Sequence, residues 1–283
     1  MDESPAIEIH YSEHDPPAAL RPYVRCFWRL RAPVALGLEP LPEPILPDGC
    51  VEIVLHLGDP FLRCSDDGRR ERQPRALVAG QITRAIVVQP SRRMDVWGIR
   101  LHPWSAGAFL DVPTIDLRDS VVALDVLSMD LDRKLAGVGE QIGDDRQLDL
   151  IVRALSEHVS SSAAPDRGAR LAVGRVVAQN ADYSVRGLAK ELGLSARRVD
   201  AIFREHVGLS PKQLLRIHRF QRALALRRAA PSLAWASVAA RAGYFDQAHL
   251  VREARAIAGS TPTELSSAAG GLTEIFLARD AST

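Results

Sequence analysis

At 283 residues, with 46% hydrophobic and 25% charged residues, the chain has the size of about two ordinary domains and the balance of a soluble globular protein. Three cysteines, Cys26, Cys50 and Cys64, are too few for a disulfide framework and match no zinc spacing, which points to a reduced, cytoplasmic setting. The formal net charge of +1 hides an asymmetry: residues 167–265 carry 17 Lys and Arg against 7 Asp and Glu, a net of +10 that leaves −9 for the rest. A basic segment beside an acidic body is the footprint of a polyanion-binding module joined to something else.

The opening run MDESPAIEIHYSEHDPP is acidic and polar and lacks the basic and apolar blocks of a signal peptide. No apolar run approaches the ~20 residues of a membrane span, so neither export nor a membrane partner is expected. Up to about residue 101 the pattern is that of strands. YVRCFWRLRA, CVEIVLHLGD and MDVWGIRLHP alternate apolar and polar residues, and ALVAGQI and RAIVVQP are short runs bounded by Gly or Pro. Many short strands with such punctuation predict an antiparallel β-barrel or sandwich. The proline-rich piece 33–47 reads as an ordered excursion within that domain.

A barrel mouth is where a small molecule would find a pocket. Trp28, Trp97 and Trp104 offer broad apolar surfaces with one donor each, and Asp48, Glu52, His56, Gln81 and Arg100 supply polar ends. Trp28, Glu52, His56, Gln81, Trp97 and Arg100 are the effector-binding candidates. Alternation puts Glu52, Val54 and His56 on one side of their strand, opposite Val51, Ile53, Leu55 and Leu57. The same pattern is met if Glu52 and His56 lie at the surface and the tryptophans fill the core. The histidines lack the His-x-His and carboxylate set of a metal-dependent barrel enzyme, and no phosphate loop, Gly-x-Ser-x-Gly elbow or His-Glu-x-x-His occurs. No catalytic residue, metal or cofactor is therefore expected. Cys50 and Cys64 read as ordinary free thiols.

After Pro103 the pattern turns helical. SAGAFL, LDVLSMDLDRKLAGV and DRQLDLIVRALSEHVS are the candidates, the last with Leu148, Ile151, Val152 and Leu155 on one face. Such a face needs a partner: the barrel, the basic domain or a second subunit. SSSAAPDRG has the composition of a linker, which divides the chain into 1–159, a linker 160–167, a domain 168–267 and a tail 268–283.

Within 185–265 one pattern occurs twice. A shift of about fifty positions superposes Ser195 on Asp246, Val199 on Leu250, Arg204 on Arg255, Gly208 on Gly259, Ser210 on Thr261 and Pro211 on Pro262. In the first copy Ser184 is a predicted N-cap for a helix over 185–192, Gly193 supplies the turn, and Ser195 caps a helix that Gly208 stops. In the second, a helix over 237–242 ends at Gly243, and Asp246 caps a helix running to Gly259. Short helix, turn and longer helix make a helix-turn-helix, whose second helix enters the DNA major groove. Val199, Ile202, Phe203 and His206 share the inner stripe of the first reading helix, as Leu250, Ala254 and Ile257 do in the second.

The runs LGLSARRVDAIFREHVGLSPKQLLRIHRFQRAL and VAARAGYFDQAHLVREARAIAGSTPTEL resemble the DNA-binding domain of AraC/XylS-type transcription regulators. The resemblance implies an α+β chain ending in two helix-turn-helix motifs bridged by a long helix, about 211–228, with double-stranded DNA as partner. Carried over by position, the base-facing candidates are Arg197, Asp200, Ala201 and Arg204 in the first copy and Gln247, Ala248 and Arg252 in the second. Arg198, His249 and Arg255 complete the set of DNA-binding candidates, His249 as a phosphate contact or a brace at the helix start. Two residues depart from the pattern: Ala201 stands where a long polar side chain is common, and Ala254 where a large aromatic is usual. These departures imply altered base reading in copy one and looser packing in copy two. LPDGCVEIVLHLGD, AGQITRAIVVQP and DVWGIRLHPWSAGAFLDVP look like the cupin-like N-terminal sensor domain of some such regulators. That likeness implies a small-molecule effector, a homodimer and RNA polymerase as further partners. An enzyme localised by a basic tail and a partner-binding adaptor are the rival readings; the first would show turnover by the front domain, the second no preferred DNA sequence.

Overall fold

A computed structural model describes residues 9–32, 40–160, 165–178, 184–267 and 272. The chain opens with β1 (His10–His14), β2 (Val24–Ala32), β3 (Glu43–Ile45), β4 (Glu52–His56), β5 (Leu62–Cys64) and β6 (Arg70–Arg72). β7 (Ala76–Ala79), β8 (Ile86–Gln89), β9 (Met94–Leu101) and β10 (Val121–Ala123) follow. Helices α1 (Leu124–Leu127), α2 (Met129–Leu135) and α3 (Asp144–Ser160) complete the front domain. The rest is helical: α4 (Arg167–Ala178), α5 (Val185–Leu192), α6 (Ala196–His206), α7 (Pro211–Ala229), α8 (Trp235–Ala242), α9 (Gln247–Ala258) and α10 (Pro262–Ser267). SAGAFL forms only a 3₁₀ turn, Ala106–Ala108. Of the expected linker, 161–164 lie outside the described residues, as do 33–39 of the proline-rich piece and all of the tail but residue 272.

The strands are antiparallel throughout and form two sheets, ordered β1-β2-β9-β4-β7-β10 and β3-β8-β5-β6. No ladder among the described residues joins one sheet to the other, so the expected barrel takes the form of two stacked sheets. The chain leaves the larger sheet at Gly80 and returns after Pro90, a residue that cannot donate to a ladder.

Side-chain alternation decides what each face of the larger sheet covers. Phe27, Ile53, Leu55, Trp97 and Ile99 point to one side and share a core with Leu127, Leu131, Ile151 and Leu155. The apolar stripe of α3 is thus satisfied by the front domain's own sheet. Arg29 is buried there, paired with Asp95 and stacked over Trp97 at 5.0 Å from the ring centre. Burial pushes its pKa down, while Asp95 opposes the shift. Cys26, Trp28, Leu30, Met94 and Val96 point to the other side and meet Ile45, Phe61, Ile86 and Val88 of the smaller sheet or its flanks.

In the basic domain α7 is the spine. Ser210 and Gln213 form a reciprocal capping box with Pro211 at the first turn, which fixes where α7 starts. Its first half gives Leu214, Leu215 and Ile217 to a core with α4, α5 and α6. Its second half gives Phe220 and Leu224 to one with α9 and α10, and Ala223 to one with α8. The front domain lies against the same helix. Gln221 donates to the Pro47 carbonyl, Leu46 joins the Phe220 cluster, and Ala85 N donates to Ile257 O at 2.6 Å. Gly208, at φ 77°, sits so close to Thr114 that a Cβ there would lie 2.5 Å from its carbonyl oxygen. Among the described residues no helix is long and apolar enough to cross a membrane.

Candidate nucleic-acid interface

Both helix-turn-helix units are built from local capping chemistry. In the first, the Ser184 hydroxyl accepts from Gly187 N at 3.0 Å, Gly193 closes α5 in the left-handed region at φ 64°, and Ser195 accepts from Arg198 N at 3.2 Å. In the second, Gly243 closes α8 at φ 86° and the Asp246 carboxylate accepts from His249 N at 2.6 Å. Helix α8 starts at Trp235, two residues before the predicted start.

Burial separates inner from outer faces as the periodicity predicts. Val199, Ile202 and Phe203, like Leu250, Ala254 and Ile257, are buried, whereas Arg197, Arg198, Ala201 and Arg204, like Gln247, Ala248, Arg252 and Arg255, are exposed. Two candidates are half-buried: Asp200 bonds Arg204 at 2.6 Å one turn on, and His249 lies edge-on to Tyr244 at 5.2 Å between ring centres. Ala254 is completely covered in a cluster with Phe220 and Leu224 of α7.

The sequence reading missed the brace behind the second copy. Arg216 of α7 donates to Glu253 of α9 at 3.0 Å, and Arg219 lies over the Tyr244 ring at 5.6 Å from its centre. Burial, then the neighbouring Glu253, raise the Tyr244 pKa. The available signal was Glu253 itself, an acid on the inner flank of an otherwise basic helix.

The effector candidates do not form one cluster. Glu52 and Arg100 are register partners and bond at 2.7 Å; Arg100 also reaches Asp48 at 2.6 Å, and Trp28 Nε1 donates to Glu52 at 3.3 Å. The Trp28 indole fits because it lies against Gly98, where a Cβ would collide with the ring. A cavity of about 50 Å³ adjoins Asp48, Glu52, Arg100 and Gln221, at the seam between the front domain and α7. Gln81 is buried nearby and holds the Gly49 carbonyl at 2.8 Å. Trp97 lies on the opposite face of its sheet, donating to Gln147 at 2.8 Å, because odd and even positions of β9 face different cores. His56 packs on Phe61 with Gln73 at 3.2 Å, and burial pushes its pKa down to about 4. It is structural packing rather than part of the cavity lining. Trp104 packs against the basic domain's first core.

With this geometry in place, comparison with known families is decisive for the C-terminal part. Residues 188–268 match a family described as helix-turn-helix domain. The C-terminal domain is a helix-turn-helix domain of the AraC type. Residues 12–123 match a domain of unknown function, DUF6597. No curated protein sequence matches the chain. Solved structures similar to it include ToxT from Vibrio cholerae, at 9% identity over 90% of this chain and 97% of that one, with a TM-score of 0.47. Wild-type ToxT bound to an unsaturated fatty acid is similar at 10% identity, 93% and 96% coverage and a TM-score of 0.45. A DNA-binding transcriptional dual regulator from Escherichia coli K-12 is similar at 27% identity over 43% of this chain and 100% of that one, with a TM-score of 0.31. On both second helices the arginine-bearing faces are exposed, and the front domain's contacts through Thr114 at Gly208 and Ala85 at Ile257 fall at the C-terminal ends.

Proposed function

We propose that this protein is a sequence-specific regulator of transcription that reads double-stranded DNA with both helix-turn-helix units and takes a small-molecule effector in its front domain. The observation that carries the reading is the duplicated unit in which apolar stripes turn inward and Arg197, Arg204, Gln247 and Arg252 stay exposed. Phosphate contacts from arginines and from backbone amides at the capped helix starts fix the register, and side chains on the outer faces then read base edges, Arg suiting guanine and Gln adenine. Two reading helices in successive major grooves call for two short elements roughly 10 base pairs apart.

The effector site that fits best is the seam at Asp48, Glu52, Arg100 and Gln221. It joins a polar cluster of the front domain to the helix that spans both DNA-reading units. A volume of about 50 Å³ holds a few waters and nothing larger, so an effector would enter by widening the seam. Selection from random oligonucleotides with the full-length protein tests the main reading: a paired motif with that spacing supports it, and enrichment of no sequence defeats it. Thermal shift against a metabolite panel tests the effector site, with Arg100→Met expected to abolish any shift found.

A further inference from the structure

We infer that Phe245 is a specificity-determining residue that reads the C5-methyl group of a thymine beside the base contacted by Gln247; the inference rests on the regulator reading above. Phe245 is 92% exposed, more than any other large apolar side chain described. It stands directly before Asp246, the residue that caps the second reading helix. An apolar residue at that point ordinarily folds back onto the fourth helical residue and staples the helix start. Here that residue is Leu250, which is buried at 1% exposure in a cluster with Tyr244, while Phe245 stays in solvent.

The two copies explain the difference. In the first, a single residue, Leu194, stands between the turn glycine and the cap, and it is 37% exposed. In the second the turn holds one residue more. Tyr244 takes the inward role, 4% exposed beneath Arg219, and the extra position releases Phe245 outward. The added residue therefore has no part in the core it adjoins.

Its surroundings indicate the partner. Gln247 and Ala248 are exposed in the first turn of that helix, Arg252 is exposed farther along it and Arg241 in the last turn of α8, a polar and cationic setting suited to DNA rather than to an apolar protein surface. The first turn of a reading helix is the part that meets base edges. Thymine is the base that offers an apolar group in the major groove, and phenylalanine is among the side chains that contact it. Adenine read by Gln247 and thymine read by Phe245 would make neighbouring positions of one short element.

The test uses the full-length protein and the site recovered by selection. Each thymine is replaced in turn by uracil, which removes only the methyl group, and affinity is measured at fixed salt for the wild type and for Phe245→Ala. The expected result is one position at which uracil weakens the wild type about fourfold, the worth of one buried methyl group, while the variant is indifferent there. Because Phe245 is exposed, the variant should melt with the wild type, and Phe245→Leu should keep part of the methyl sensitivity. Equal responses of wild type and variant at every thymine overturn the inference, as does loss of affinity in Phe245→Ala with no uracil effect, which would mark a wedge between base steps. A selection that returns no preferred sequence removes the regulator reading and this one with it; a preferred sequence without Phe245-dependent methyl sensitivity removes this one alone.

Discussion

Replacing Arg252 with Ala separates reading from folding cleanly. Arg252 is exposed and belongs to none of the ion pairs or hydrogen bonds seen among the described residues, so its loss should leave stability within about 0.5 kcal/mol of the wild type. Arg197 has the same standing, whereas Arg204 is held by Asp200 in an exposed pair one turn apart, worth roughly 0.3–0.5 kcal/mol. If Arg252 grips a base edge with two hydrogen bonds, Arg252→Ala costs on the order of 1–3 kcal/mol, or about 5- to 150-fold in affinity, at one base position. The assay is fluorescence anisotropy on the selected site and its single-base variants at two salt concentrations, beside a thermal melt. A reader of bases loses discrimination at one position; a phosphate contact weakens all sequences alike and lowers the salt slope by about one. Unchanged binding after loss of both Arg197 and Arg252 would falsify the assignment of the reading faces.

Other perturbations test the frame behind those faces. Gly208→Ala meets both a left-handed backbone, φ 77°, and the Thr114 carbonyl at 2.5 Å, and should cost about 2–4 kcal/mol in urea unfolding. Its counterpart Gly259→Ala has a left-handed φ of 71° but open space around a Cβ, and should cost only about 1–2 kcal/mol; equal costs would mean that the contact with Thr114 is immaterial. Glu253→Ala frees Arg216 and should cost about 1 kcal/mol of stability, with a larger loss of affinity relative to the wild type on the paired site than on the first element alone. His218 is half-buried at the seam beside Gly49, with its Nε2 covered, and desolvation pushes its pKa down to about 4. A histidine depressed below its unfolded value near 6.5 leaves full stability above that pH and loses it as pH falls toward 4, because the unfolded chain takes up the proton first. The melting temperature should therefore drop between pH 7 and 5, and His218→Gln should flatten the drop in part, leaving the share contributed by His56 and His102, whose pKa values burial displaces the same way.

The reading domain was legible because its determinants are local. Ser184, Ser195, Ser210 and Asp246 each cap the helix that follows within three residues, and Gly193 and Gly243 end helices by adopting positive φ. Alternation also placed Glu52 and His56 on one side of β4. It did not show that this side faces a second sheet, because β3, β5 and β6 are three residues long and carry too little pattern to be seen. Register is equally invisible: alternation within β9 sets Trp97 opposite to Arg100, but that Glu52 stands beside Arg100 follows from pairing between strands some fifty residues apart. Most hidden is the seam, where Gln221 meets Pro47 across 174 positions of sequence.

That seam joins the front domain to corresponding places in the two copies. Thr114 abuts Gly208 just after the first reading helix, Ala85 bonds Ile257 at the end of the second, and Pro47 and Gly49 sit on the spine between them. A shift of the front domain is consequently felt by both reading helices at once, which is what coupling a ligand to DNA affinity requires. The direction is open to measurement in the intact chain. Gln221→Ala removes the hold on Pro47, a bond worth about 1 kcal/mol. If docking holds the reading helices away from their DNA spacing, the variant binds the selected site more tightly without effector, by up to about fivefold, and gains less from any effector than the wild type does. Weaker binding by a variant that melts normally would show the reverse: the docked arrangement is the one that fits DNA, and an effector that opens the seam would release the site.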